Sequence, residues 1–328
     1  MSKDVAPNRI MWIDQYRAIL FLFVIMVHTD RSPFCLRACY DFFYLPGFFF
    51  LSGYLFKAKS YKESMIGVIN GLLIPLMIYY AILSLLTLLV EADFRLVFES
   101  FTRKVLSGDA WFIPCLISLE IMFITFYYLI RPFSNYFTLL LLIVSVISYF
   151  YFTSQPFRHY PWNIDTASWC LIYFIIGTLF KTKSVFFGKR FSIFIFGGYS
   201  ALAILFSYIG IAGGGMIDIH NNYVYNPITY IFLSIFGVFA FFWLARNLPI
   251  SEILCKFGQY TLFAFPFQTL IYQKILKILH KIGVVDILHN DLVFVTVMTF
   301  LVFLTLYVVG SVLMRYAPAL MGKYKYIN

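Results

Sequence analysis

Residues 12–30 read WIDQYRAILFLFVIMVHTD. The run is apolar enough to enter a bilayer, yet it carries Asp14 and Arg17 at one end and His28 at the other. Charged and titratable side chains are costly at membrane depth and normally sit there for a reason. Arg17 and His28 are eleven positions apart, so on a helix they lie within about 20° of each other and roughly 16 Å apart along the axis. Asp14, one turn before Arg17, falls on the same broad face and within ion-pair reach. Two readings fit this stripe. It is a polar path into a helix bundle, or an interfacial ion pair with His28 emerging at the opposite surface. An imidazole there suits general-base chemistry, because it titrates near neutrality, and it suits a proton relay in a transporter equally well.

The rest of the chain places this helix in a membrane. Of 328 residues, 62% are hydrophobic and 12% charged, with a mean hydropathy of +0.84; a soluble domain averages about 25% charged residues. Forty Phe and 25 Tyr exceed what a soluble core could hide. The net charge of +10 does not imply nucleic acid, because the basic residues punctuate the gaps between apolar segments, as in KAKSYK (57–62) and KTKSVFFGKR (181–190). The run Ile19–Val27 has the length of a signal-peptide core, but HTDRSPF follows it instead of a small-residue cleavage site, so it reads as a retained span. The five cysteines show no CxxC pair and no Cys/His metal spacing, and no metal is expected. Cys35 and Cys39 read as free thiols near a membrane surface, or as a pair in an oxidising compartment.

Ten spans are expected, over 12–30, 40–56, 66–90, 111–130, 136–153, 167–181, 191–210, 227–245, 259–280 and 292–314. The predicted fold is all-α and polytopic, with polar connectors at 91–109, 154–166 and 213–227. A single transmembrane domain over 1–328, with no appended soluble domain, is expected. With the N-terminus inside, cytoplasmic segments hold fifteen Lys and Arg against nine on the opposite side, which puts both termini in the cytoplasm. Glu120 is an intramembrane acid, and Pro46, Pro75, Pro114 and Pro266 are candidate helix kinks.

Taken in order, several fragments resemble the membrane-bound acyltransferase-3 family: Arg9, Asp14, Arg17 and His28 in RIMWIDQYRAILFLFVIMVH, the Phe-rich FFYLPGFFFLSGYLF (42–56), LLIPLMIYY (72–80), WFIPCLISLEIMF (111–123) and YFIIGTLF (173–180). The chain departs from the pattern at Asn70 and Gly71, where family members carry basic residues, and at Gln268, where many carry a His.

The resemblance implies transfer of an acyl group, usually acetyl from cytoplasmic acetyl-CoA, onto a glycan hydroxyl. The acceptor would be O-antigen, capsule or exopolysaccharide, or a lipid-linked precursor, at a bacterial inner membrane, with acetyl-CoA as donor and no bound cofactor. It implies His28 as base, with Arg17 and Asp14 orienting the donor, and Arg9, Lys57, Lys59 and Lys62 as candidates for its phosphates. Ser52, Tyr54, Trp111, Glu120 and Gln268 are pocket or oxyanion candidates. The loops FRHYPWNID (157–165) and DIHNNYVYN (218–226) supply acceptor-binding candidates in Arg158, His159, Trp162, Asp165, His220, Asn222 and Tyr223, whose aromatic members also suit interfacial anchoring. No G-x-S-x-G elbow or P-loop is present. The alternative is a polytopic transporter or flippase for a glycan or lipid-linked intermediate.

Overall fold

In a lipid solvent every backbone N–H and C=O must be satisfied within the chain, and the helix is the local solution for long apolar runs. The computed structural model describes residues 10–29, 31–91, 94–108, 110–131, 136–158, 160–182, 187–212, 217–322 and 326–327. Most of them are helical. The first half comprises α1 (Met11–Val27), α2 (Phe34–Tyr40), α3 (Tyr44–Leu55), α4 (Tyr61–Val68), α5 (Ile74–Glu91), α6 (Phe94–Ser107), α7 (Phe112–Ile130) and α8 (Phe137–Thr153). Then come α9 (Ile164–Thr182), α10 (Lys189–Tyr208), α11 (Pro227–Asn247), α12 (Glu252–Gly258), α13 (Thr261–Lys281), α14 (Val284–Ile287) and α15 (Asp291–Tyr316). A two-residue antiparallel hairpin, β1 (Ile217–Asp218) with β2 (Tyr223–Val224), sits in the connector before α11.

Among the described residues, seven helical segments are long and apolar enough to cross a membrane: 34–55, 61–86, 112–130, 161–181, 189–208, 227–247 and 291–316. The other three expected spans are also helical. Two of them, α1 and α8, have only 17 residues, and α13 ends in Lys274, Lys277 and Lys281.

Four details differ from the sequence expectation. The first helix stops at Val27, so His28 is its C-cap (φ −79°, ψ 1°) and not an interior residue. The second expected span, 40–56, is helical only over α3, and a further short helix, α2, precedes it, with residues 41–43 as a turn between them. The third contains a π-helical turn, Ile69–Leu73, between α4 and α5. The connector at 91–109, read as polar loop, is largely the amphipathic α6, which turns Phe94, Phe98 and Leu106 outward.

Helix α1 runs through the middle of the bundle, packed against α3, α11, α12, α13 and α15. Tyr16, Ala18, Leu20 and Phe21 are fully buried there. Helices α3 and α9 make the closest pairing. A Cβ at Gly53 would collide with the Phe174 carbonyl, and a Cβ at Gly177 with the Phe50 carbonyl. Small residues let two backbones touch, which is how helices gain dispersion energy where no hydrophobic effect separates them from lipid. Both glycines belong to sequence anchors recognised above, Ser-Gly-Tyr in the second span and YFIIGTLF in the sixth.

Candidate active site

The site is built on the two ends of α1. At its start, Asp14 is 3% exposed and lies 3.8 Å from the Arg17 guanidinium. Gln15, one position on, ties the connector before α12 to α1: its amide donates to the Pro249 carbonyl (3.0 Å) and accepts from the Ser251 N–H (2.7 Å). That clamp brings Gly258, Gln259 and Thr261 alongside Arg17. The result is a cavity of 290 Å³ lined by Arg17, Ser52, Gly71, Glu120 and Gln259 among others. Across this Arg17 chamber the guanidinium acts electrostatically on Glu120.

At the other end, helix termination positions His28. The carbonyl of Met26, in the last turn of α1, accepts from the Thr29 N–H (3.1 Å), the Thr29 hydroxyl (2.7 Å) and the Ser32 hydroxyl (2.8 Å). From α13, the Tyr272 hydroxyl donates to the Thr29 carbonyl (3.4 Å). The imidazole is exposed and lines a second cavity of 690 Å³, with Arg37, Tyr44, Trp111, Asp218, Tyr223 and Gln268 on its other walls. Arg37 is paired with the buried Asp41 at 3.1 Å. Gln268 is 5% exposed, and its buried amide oxygen has no hydrogen-bond partner among the described residues. A buried unpaired carbonyl costs about 1–3 kcal/mol, which a donor entering the chamber would recover.

The two chambers touch. Phe112 and Phe265 line both. A third, more open cavity of 270 Å³ is lined by Lys57, Lys59 and Glu63 and also by Glu120, which therefore borders both this groove and the Arg17 chamber. The groove thus adjoins the Arg17 chamber at Glu120, and that chamber adjoins the His28 chamber at Phe112 and Phe265.

A family model described as an acyltransferase domain matches residues 10–316, from just before α1 to the end of α15. The chain belongs to the acyltransferase-3 family. It is a multi-pass membrane acyltransferase, and the chamber series lies inside the matched domain. No curated protein and no solved structure matches the chain significantly.

The candidate residues divide clearly on this acyltransferase frame. Ser52 and Glu120 line the Arg17 chamber; Trp111, Tyr223 and Gln268 line the His28 chamber; Lys57 and Lys59 line the groove. Lys62 is exposed beside the groove but not part of its lining. Tyr54 packs among Trp12, Phe50, Phe180 and Phe242, away from both chambers. The loop candidates mostly hold the loops to each other. Trp162 donates from its indole to the Val105 carbonyl (3.0 Å), and its own carbonyl accepts from Ser118 (3.1 Å), joining α6 to α7. Asn222, fully buried at φ 54°, donates to Asp165 and accepts from Thr166 (3.0 Å) and the Trp169 indole (2.8 Å). His220 pairs with Asn163 at 3.0 Å and lies over the Trp111 ring, which it steadies from behind the chamber. Arg158 is exposed and donates to Gln155 (2.6 Å). Arg9 and His159 lie outside the described residues. Cys35 and Cys39 both sit on α2 as free thiols.

Sequence reading missed Gln15, Arg37, Asp41 and the Phe112–Phe265 wall. The i, i+4 spacing of Arg37 and Asp41 was the available signal for that pair. The structure also explains Asn70. Its side chain accepts from the Tyr326 and Ile327 N–H groups (3.0 Å each) and donates to the Ile327 carbonyl (2.8 Å), clasping the C-terminal segment. Tyr79, nine residues further along the chain, donates to the Leu320 carbonyl, and Met321 becomes part of the Arg17 chamber wall. At net values of about 0.5–1.5 kcal/mol per hydrogen bond, Asn70→Ala is expected to release this segment while the helices stay folded. Carboxypeptidase trimming of the solubilised protein should become several-fold faster; an unchanged rate would mean that other contacts hold the tail.

Proposed function

We propose that the chain transfers an acetyl group from cytoplasmic acetyl-CoA to a hydroxyl of a surface polysaccharide or its lipid-linked precursor, at a bacterial cytoplasmic (inner) membrane with both termini inside. The observation that carries this reading is the placement of Arg17 and His28 at opposite ends of one helix, each in its own chamber, with a shared wall between them. An acyl donor and an acceptor arriving from opposite membrane faces need such an arrangement.

The donor's phosphates would meet Lys57 and Lys59 in the open groove, and its pantetheine arm would extend past Glu120 towards Arg17. Asp14 holds Arg17 in place through the ion pair and lowers the cost of keeping a cation at that depth. The acceptor would lie in the His28 chamber. There Trp111 and Tyr223 offer aromatic faces to a sugar ring, and the unpaired Gln268 oxygen accepts from one of its hydroxyls. His28 takes the proton from the attacking hydroxyl as its oxygen bonds to the thioester carbonyl carbon. The tetrahedral oxyanion then collapses, the C–S bond breaks, and the departing thiolate receives the proton from the imidazolium. Ester and free CoA are the products, and the imidazole is restored.

Membranes containing the protein, given labelled acetyl-CoA and candidate glycans, test the reaction. Label should pass to the glycan as free CoA accumulates. Movement of a glycan without consumption of acetyl-CoA would show a transporter instead. In the same assay, Lys57→Ala with Lys59→Ala should raise the donor KM by about five- to tenfold and leave kcat unchanged, since exposed ion contacts contribute up to about 1 kcal/mol each. The difference should shrink as salt is raised. A fall in kcat at constant KM would remove these lysines from the donor site.

A further inference from the structure

The wall between the two chambers is unusual in composition and position. The Phe112 and Phe265 rings stack at 4.3 Å between centroids and 16° between planes. Phe48 closes on both edge-on, at 5.4 and 5.3 Å, and Phe21 abuts Phe265 at 4.9 Å. All four of these side chains are apolar, whereas the chambers on either side carry Arg17 with Glu120 and His28 with Gln268.

Both rings hang from points where their helices are incompletely hydrogen-bonded. Phe112 is the first residue of α7, after Ala110 at φ 57° and Gly108 at φ 74°. In that first turn Ile113 and Cys115 bond back to Ala110 (3.1 Å) and Trp111 (2.9 Å), ahead of the helix, and Pro114 between them has no N–H to give. Phe265 directly precedes Pro266, which sits inside α13. A proline there removes the bond to the carbonyl four residues back, here that of Leu262, and weakens the helix locally. The rings can therefore part without breaking a regular helix interior. Phe265 itself is only half-buried, while Phe112 is 4% exposed.

We infer that Phe112 and Phe265 are the specificity-determining residues for the acyl group: a thioester extended from the Arg17 chamber reaches His28 only past their stacked rings, so short acyl groups pass and long ones are excluded. This rests on the donor and acceptor assignment made above. Its physical basis is that a close-fitting apolar site discriminates by about ten- to two-hundred-fold against a methylene for which it leaves no space.

The test compares acetyl-, butyryl- and hexanoyl-CoA as donors to one acceptor, in the full-length protein and in Phe265→Ala, Phe112→Ala and Phe265→Tyr. Both alanine variants should shift the ratio of kcat/KM for hexanoyl over acetyl upward by at least about tenfold, and Phe265→Tyr should keep the wild-type ratio. Wild-type transfer of acetyl with the same ratio in both alanine variants overturns the inference and leaves the acyltransferase reading standing. Absence of transfer from every donor by the wild type overturns both.

A second measurement does not depend on activity and covers variants that lose it. In a background with the five cysteines replaced by alanine, Ser52→Cys places one thiol in the Arg17 chamber. A membrane-impermeant maleimide added from the His28 side should label it slowly behind the intact rings and at least about tenfold faster in Phe265→Ala. Equal rates would show that the rings close nothing and would overturn the inference.

Discussion

Replacing His28 by alanine should lower acyl transfer by about 10²–10⁴-fold, the usual contribution of a positioned general base. Donor binding should be unaffected. The imidazole is exposed at a helix C-cap, and the turn that holds it is closed by Thr29 and Ser32 on the Met26 carbonyl, none of which His28→Ala disturbs. The fold and the Arg17 chamber, about 16 Å away along α1, should survive. The loss should fall on kcat, with acetyl-CoA binding to the purified protein within about twofold of wild type. Arg17→Ala should behave in the opposite way, weakening the donor first, because Arg17 belongs to the other chamber. A His28→Ala protein that retains full transfer would remove the imidazole from the chemistry; one that no longer elutes as a folded species would make its role architectural.

The second large effect concerns folding. Gly53→Val should prevent α3 from seating on α9, because even a Cβ there would strike the Phe174 carbonyl. The contact is backbone against backbone, so no side chain can swing away to make room. Overpacking typically costs about 1–3 kcal/mol where side chains can adjust, and this site lacks that relief, so the cost should lie above that range. The expected readout is loss of the monodisperse peak when the variant is extracted in detergent and run by size-exclusion chromatography. Gly67→Ala is the matched control, since nothing lies within 4 Å of the Cβ it would add, and it should elute as wild type. A folded Gly53→Val protein would mean that α3 and α9 can separate without consequence.

The architecture was largely legible in the sequence because its signal is physical and local. Apolar runs of span length must become helices in lipid, and each expected span is helical. The misreadings fall where length or polarity blurs that rule. In the sequence α6 reads as a connector because its polar face, with Arg95, Glu99 and Arg103, masks Phe94 and Phe98. The break between α2 and α3 was invisible because its residues, Asp41–Phe43, lie inside an otherwise apolar stretch.

For the site, spacing put Arg17 and His28 on one stripe about 16 Å apart, since eleven residues of α-helix fix both the angle and the rise; the chambers that hold them are made by packing between helices. Contacts between distant segments were not legible. Phe112 and Phe265 are two of forty phenylalanines, and only folding brings them together. Asn70 looked like a missing cation; its partners, Tyr326 and Ile327, lie at the far end of the chain. The Asn and Asp of the loops at 157–165 and 218–226 look like sugar ligands because such residues hydrogen-bond well. In Asn222 and Asp165 that capacity is used within the fold, where burial makes an unpaired amide expensive.

The central claim is that donor and acceptor meet from opposite ends of one chamber series. The most direct measurement uses sealed vesicles with the protein in a single orientation, labelled acetyl-CoA confined to the side bearing Lys57 and Lys59, and a glycan acceptor confined to the other. Label should appear on the glycan across the bilayer, and none should appear when acetyl-CoA is supplied only on the acceptor side. Transfer that requires both substrates on the same face would contradict the account.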